Sequence, residues 1–288
     1  MNVLSVFDGM SCGRVALERA GITVNKYYSS EIDKHAITVA NDNYPSDTPY
    51  RLGDVVQVEG WELDDIDLLI GGSPCQGFSF AGKQLNFDDP RSVLFFEFVR
   101  LKNELNPQWF LLENVKMKKE HQDVISSYLG VEPVLINSSL VSAQSRERLY
   151  WTNIPIQGVL EDKDINIKDI IEDIDDITPL LIPESKVVNT TLKRNYLQYD
   201  VHGKGYGSQD QRAYHLKGKH GCLPAGCNSK SKILLPNGRV RNTTIVEKER
   251  LQTLPDNYTK SVSAAQGSKM IGNGWTVDVI THLLKGLK

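Results

Sequence analysis

The stretch 71–82, GGSPCQGFSFAG, constrains this chain more than any other. It follows an apolar run, 66–70, that reads as a buried parallel strand ending in a Gly-Gly turn. Ligands in open α/β sheets sit outside the carboxyl ends of strands, so Cys75 is expected at such an edge. Pro74 fixes the backbone just before the thiol. Gly77 and Gly82 bracket four residues, which predicts a loop with two hinges. A cysteine on a turn, taken alone, reads as a small buried hydrophobe. The full string is far more specific than that.

The first half alternates strands and helices. Strands are expected at 3–7, 24–30, 52–54, 66–70, 109–112, 134–136 and 149–151, and helices at 14–20, 34–43 and 92–105. That order predicts an α/β fold, a parallel sheet with helices on both faces. From Ile154 the helical periodicity disappears and Gly, Asn, Ser, Lys and Tyr become common, which predicts a smaller second lobe. No apolar leader or membrane-length run is present, which predicts a soluble, intracellular protein. Four cysteines (Cys12, Cys75, Cys222, Cys227) are too few for a disulfide framework at this length.

The first strand leads into FDGMSCG, residues 7–13. Gly9 and Gly13 are separated by three residues, so this is not the GxGxxG turn that brings backbone against a pyrophosphate. Glu31 lies roughly 20 residues past the turn, where a carboxylate binds ribose hydroxyls. A nucleoside without a diphosphate satisfies both observations, and S-adenosylmethionine is one. A plain tight strand–helix turn is the competing reading.

Three further strings carry candidate chemistry. Glu113-Asn114-Val115 follows the strand at 109–112, one strand–helix unit after the cysteine. Its carboxylate is either a surface charge or a general acid. Arg146 and Arg148 stand at i and i+2 of an extended segment and are expected to point the same way, as forks for carbonyl or phosphate oxygens or as plain surface charges. His215, His220, Cys222 and Cys227 invite a zinc reading, but their spacing fits no common zinc pattern. They are expected to be loop residues.

Taken together these strings resemble the DNA (cytosine-5)-methyltransferase family. GGSPCQGFSFAG matches its nucleophile motif almost letter for letter, ENV and QSRERLYW match two more, and residues 249–258, ERLQTLPDNY, match a fourth with Leu254 in the place of Phe. FDGMSCG and IGNGWTV (271–277) are similar to the cofactor motifs of the de novo mammalian branch. The likeness covers 3–151 and 243–284 in the family's order. It implies a Rossmann-like S-adenosylmethionine-dependent sheet with a small, irregular target-recognition lobe. The catalytic part would be 1–155 plus 265–288, and the recognition part 156–264.

The resemblance also implies roles. Cys75 would be the nucleophile, Glu113 would contact the cytosine at N3 and the 4-amino group, and Arg146 and Arg148 would hold its O2, the glutamate and a phosphate. Phe7, Asp8, Gly9, Met10, Ser11, Cys12, Gly13, Glu31, Ile32, Asp54, Val55, Asn273, Gly274 and Trp275 would surround S-adenosylmethionine, with Asn273 also supporting the Pro74-Cys75 loop. Family members bind no metal in this region.

Charge bears on the partner. The net charge of −3 argues against whole-surface binding to nucleic acid. Residues 184–241 nevertheless hold eleven Lys and Arg against three acidic residues, a local +8 that suits phosphate, whereas 159–176 carry −6. The expected partner is double-stranded DNA with a target cytosine, in the cytoplasm and nucleoid-associated through that DNA. An RNA cytosine methyltransferase of the same superfamily, a catalytically silent DNA-binding regulator and a nicotinamide oxidoreductase are the alternatives. GFSFAG, the complete catalytic set and the absent GxGxxG weigh against them in that order.

Overall fold

The computed structural model describes residues 1–73, 90–174, 176–181, 196–198, 212–226 and 231–288. Cys75, Cys227 and the loop 77–82 therefore lie outside the described residues. The chain forms two compact units, one of Met1–Asn137, Glu147–Val159 and Val277–Lys288, the other of Ser138–Arg146 and Leu160–Thr276.

The first unit runs β1 (Asn2–Val6), α1 (Cys12–Arg19), β2 (Lys26–Ser30), α2 (Lys34–Asn43), β3 (Arg51–Gly53), β4 (Leu68–Gly72), α3 (Pro90–Leu105), β5 (Trp109–Val115), α4 (Lys119–Leu129), β6 (Val134–Asn137) and β7 (Glu147–Thr152). Its sheet has the order β3-β2-β1-β4-β5-β7-β6. β1 and β4 are neighbours although β2 and β3 lie between them in sequence, so the strand order reverses there. Such a switch point opens a crevice at the carboxyl ends of the strands. β1, β4 and β5 are apolar nearly throughout because both faces of a parallel sheet are buried; Val3, Leu4, Leu68, Leu69, Ile70, Leu111 and Leu112 are fully inaccessible.

Two expectations about this sheet fail. It is mixed, since β7 runs antiparallel to both β5 and β6. Only residues 138–146 separate β6 from β7, and a parallel return needs a crossover of about a dozen residues or more. ENV also lies inside β5 and not after it, because β7 extends the pairing through Glu113↔Tyr150, Asn114↔Leu149 and Val115↔Arg148.

One core cluster joins Leu4 and Val6 of β1 to Phe95, Phe98 and Leu101 of α3, Ile125 and Leu129 of α4, and Trp151 of β7. Gly71 allows the close approach within it: a Cβ there would stand 2.8 Å from Val6 Cγ2 and 3.1 Å from Phe98 Cδ2. The helix expected at 34–43 is found at those bounds. Asp33 caps it by accepting from His35 N at 2.9 Å. The helix Val277–Leu284 packs on α1 and is tied to it by Arg19–Asp278 at 2.8 Å.

The second unit holds β8 (Tyr196–Gln198), β9 (Arg212–His215), β10 (Lys232–Leu234) and β11 (Val240–Asn242), in a sheet ordered β11-β10-β9-β8. α5 (Ile245–Leu251) and α6 (Ala264–Asn273) follow and pack together, and α7 (Val277–Leu284) then begins. Thr244 and Glu247 form a capping box at the start of α5. Glu247 is fully buried, and Arg241 meets it through two donors at 2.9 and 2.5 Å. Lys219 donates to the carbonyls of Ser139, Ser142 and Ile165 at 2.8, 3.2 and 2.6 Å. The backbone of His220 bridges Gln144, and Leu223 N donates to Gln144 Oε1 at 2.7 Å. Among the described residues no helix is long and apolar enough to cross a membrane.

Candidate active site

The turn after β1 holds three left-handed residues: Phe7 (φ 57°), Gly9 (φ 57°) and Ser11 (φ 63°). For Phe7 and Ser11 that conformation costs about 1–2 kcal/mol each, so neighbouring groups must over-determine it. Asp8 does this. Its carboxylate accepts from Ser5 Oγ at 2.6 Å, Ser11 Oγ at 2.6 Å, Tyr27 OH at 2.7 Å and Arg51 Nη1 at 3.2 Å. Burial raises the Asp8 carboxyl above its ordinary range, and the three hydroxyls and Arg51 oppose that rise. Burial and the nearby Asp8 charge push the Tyr27 phenol well above its usual value. The Asp8 side chain thus serves the protein's own donors, and its backbone is engaged as well, N donating to Ser30 O and O accepting from Ser11 N, both at 3.1 Å. Met10, Ser11, Cys12 and Gly13 are likewise buried, and Gly9 and Phe7 are half-buried.

Glu31 stands at the end of β2. Its Oε2 accepts from Gly9 N, and its Oε1 from Ile32 N and Asp33 N, all at 2.8 Å. These bonds fix the carboxylate and use three of its about four acceptor sites, leaving one on Oε2 for a further donor. Ile32 beside it is 73% exposed, an apolar surface. Asp54 accepts from Val56 N at 3.1 Å. The Val55 side chain belongs to the core, and Val56 is the exposed one. Val55 begins a short 3-10 turn that rolls it inward. Two fixed carboxylates with an exposed apolar residue beside one of them suit a nucleoside's hydroxyls, amino group and ring. The same carboxylates would repel a diphosphate.

β4 delivers the chain to Ser73, the last described residue before Pro74. Asn114 grips it, Nδ2 donating to Ser73 Oγ at 3.2 Å and to Ser73 O at 3.4 Å. Glu113 pairs in register with Gly72, so its carboxylate sits beside the strand that feeds the Pro-Cys loop. Arg148 Nε meets Glu113 Oε1 at 3.0 Å, with the side chains 14% and 11% exposed. Glu113 and Arg148 are therefore brought together.

Arg146 behaves differently. β7 begins at Glu147, so Arg146 precedes the strand and the i, i+2 argument does not reach it. Its buried guanidinium donates to Gly272 O at 3.2 Å and Gly274 O at 3.0 Å, with Cys222 Sγ 3.2 Å away. Gln252, fully buried, donates to Ile271 O at 2.8 Å and Gly274 O at 3.1 Å while accepting from Gln144 and Thr276. Gln144 and Gln252 were visible only as letters in their motifs. The structure shows that they and Arg146 brace the turn carrying Asn273, Gly274 and Trp275. On that turn Asn273 is exposed and Trp275 half-buried.

The basic stretch is also less free than its charge count implies. Lys232 and Arg241 are each 2% exposed, and Lys219 serves three carbonyls. Arg239 and Lys217 remain exposed. His220, expected as a loop residue, is buried with its ring 4.3 Å from that of Tyr214, and burial lowers its pKa to about 4. Among the described residues no three His, Cys, Asp or Glu side chains gather as a metal site.

A family model described as C-5 cytosine-specific DNA methylase matches residues 1–288. The chain is 30% identical to the type II methyltransferase M1.ScrFI of Lactococcus lactis subsp. cremoris, over 96% of this chain and 75% of that protein. It is 28% identical to the type II methyltransferase M.HhaI of Haemophilus parahaemolyticus, over 98% and 93%. The structure of the Entamoeba histolytica methyltransferase EhMeth superposes with a TM-score of 0.79 at 17% identity, covering 100% of this chain and 99% of that one. That likeness gives the Rossmann-like fold.

Proposed function

The chain belongs to the C-5 cytosine-specific DNA methylase family and is a cytosine-5 methyltransferase, and from that premise we propose that it methylates C5 of a cytosine flipped out of double-stranded DNA. The observation that carries the site assignment is the Glu113–Arg148 pair, set beside the strand that leads into Pro74-Cys75. S-adenosylmethionine supplies an electrophilic methyl group on its sulfonium. Glu31 would accept from its ribose and Asp54 from its adenine amino group, with Ile32 against the ring and the Phe7–Gly13 backbone alongside; Asn273, Gly274 and Trp275 are assigned to it by the family pattern.

The chain's own residues then act on the base. Cytosine C5 is a poor nucleophile, so the Cys75 thiolate adds to C6, forming an S–C bond and leaving C5 enamine-like. Glu113 stabilises the charge that collects at N3, and Arg148 orients both the glutamate and the cytosine O2. After C5 is methylated, a base removes its proton and the S–C6 bond breaks, returning Cys75. A stacked base is out of reach of this chemistry, so the cytosine leaves the helix. Arg146 acts by bracing the 272–274 turn. Recognition of the target sequence is assigned to 156–264, and catalysis to 1–155 with 265–288.

The test is incubation with S-adenosylmethionine and either duplex DNA or transfer RNA, followed by nucleoside mass spectrometry. 5-Methyldeoxycytidine in the DNA arm is the expected result. 5-Methylcytidine in the RNA arm alone would overturn the choice of substrate. Loss of both products would leave a catalytically silent protein.

A further inference from the structure

Arg51 enters from β3 opposite Ser29 of β2 and reaches the turn after β1. Its Nη1 donates to Ser29 Oγ at 2.5 Å, Asp8 Oδ2 at 3.2 Å and Ser11 Oγ at 3.3 Å, and its Nε donates to Asn41 Oδ1 at 3.2 Å. Nη2 is buried and makes no hydrogen bond among the described residues. Its charged partner is more enclosed still: the Arg51 side chain is 12% exposed and that of Asp8 1%.

We propose that Arg51 is a positioning residue for the methyl donor, holding Asp8 and Ser11 so that the left-handed turn persists and Glu31 keeps a fixed orientation. The proposal rests on the assignment of S-adenosylmethionine to this turn. The chain of contacts is continuous. Arg51 grips Asp8 and Ser11, Ser11 N donates to Asp8 O at 3.1 Å to close the turn, and Gly9 N within it donates to Glu31 Oε2. Ser5, Ser11 and Tyr27 are neutral donors to Asp8, so among the described residues Arg51 is the one counter-charge facing that carboxylate. A buried carboxylate stripped of its counter-charge either takes up a proton or moves toward water. Both responses release Ser11 and relax the backbone that presents Glu31. No other function in the site requires a guanidinium here, and a lysine cannot span Asn41, Ser29 and the turn at once.

The test is calorimetric titration of S-adenosylmethionine into the full chain, as wild type, Arg51→Met and Arg51→Lys, with steady-state kinetics in parallel. Arg51→Met is expected to bind at least tenfold more weakly and Arg51→Lys at least fivefold. KM for S-adenosylmethionine should rise in step, with kcat at saturation within threefold of wild type. The pH profile separates positioning from a general loss of stability. Asp8 is already raised by burial, and without Arg51 it protonates more readily. Affinity of Arg51→Met should therefore fall more steeply than that of wild type as pH drops from 8 to 6. Affinities within twofold of wild type, or profiles parallel to it, overturn the proposal. If Arg51→Met does not fold, Arg51→Lys decides by the same criteria. A wild type that binds no S-adenosylmethionine overturns the cofactor assignment instead.

Discussion

Replacing Arg148 with Met probes the pair on which the proposed chemistry depends. Arg148 and Glu113 meet at 3.0 Å with side chains 14% and 11% exposed. An exposed ion pair is worth at most about 1 kcal/mol, and stranding one partner of a fully buried pair costs about 3–5 kcal/mol. This pair lies between, so the range for a hydrogen bond to a charged group, about 1.5–3 kcal/mol, applies. If that energy is realised when charge gathers on the base, kcat falls roughly 10- to 160-fold, at about 1.4 kcal/mol per decade. Single-turnover methyl transfer at saturating DNA and S-adenosylmethionine measures it. KM for S-adenosylmethionine should not change, because Glu31 is held by Gly9, Ile32 and Asp33. Glu113→Gln should be slow by itself, and adding Arg148→Met to it should cost little more, since the two act as one unit. A kcat within threefold of wild type for Arg148→Met, or losses that multiply in the double variant, would refute the reasoning.

Cys75→Ser should abolish methyl transfer and the trapped adduct with 5-fluorocytosine DNA, while calorimetry shows S-adenosylmethionine affinity retained; turnover near wild type would rule out the covalent route. Arg241→Met strands the fully buried Glu247 and should lower stability by about 3–5 kcal/mol in chemical denaturation, whereas Arg241→Met with Glu247→Met should recover most of it. His220 carries a folded pKa of about 4 against an ordinary 6.5. Between those values the unfolded chain holds the proton and the native one does not, so stability rises with pH from 4 to 6.5 and is lost as pH falls through that window. The loss reaches about 3 kcal/mol at most, and denaturation curves from pH 4 to 7 should show a flatter acid limb for His220→Phe.

The sequence was most informative where a function depends on consecutive residues. The bounds of α2 and the end of β2 could be read from periodicity and turn residues, and the likeness to the family's motifs named Glu113 and Arg148 together. The direction of β7 could not, because an apolar strand carries no mark of orientation; the clue was the short link at 138–146, which leaves no room for a crossover. Asp8 shows what a local motif leaves out. Its place in FDGMSCG made it a ligand candidate, yet its side chain answers to Ser5, Tyr27 and Arg51, residues scattered over three strands. Buried polar networks of this kind have no period, so nothing in the local pattern distinguished Arg51 from a surface arginine. Charge counting failed for the same reason at Lys232 and Arg241, which are basic in composition and interior in fact.

The attachments of Lys219, His220 and Leu223 bear on how such a protein can exchange parts with its relatives. A graft replacing residues 158–232 would carry all three away and leave Ser139, Ser142 and Gln144 behind in the recipient. The seam therefore runs through a joint, one half inherited and one half imported. A donor segment docks only if it brings an ammonium at the place of Lys219 and backbone donors at the places of His220 and Leu223. Recombination among relatives would then be filtered first by whether the halves of this joint interlock, before the new segment reads a single base pair. Swaps that move the seam outward, to include 138–146 and 243–276 as well, would transplant the joint whole.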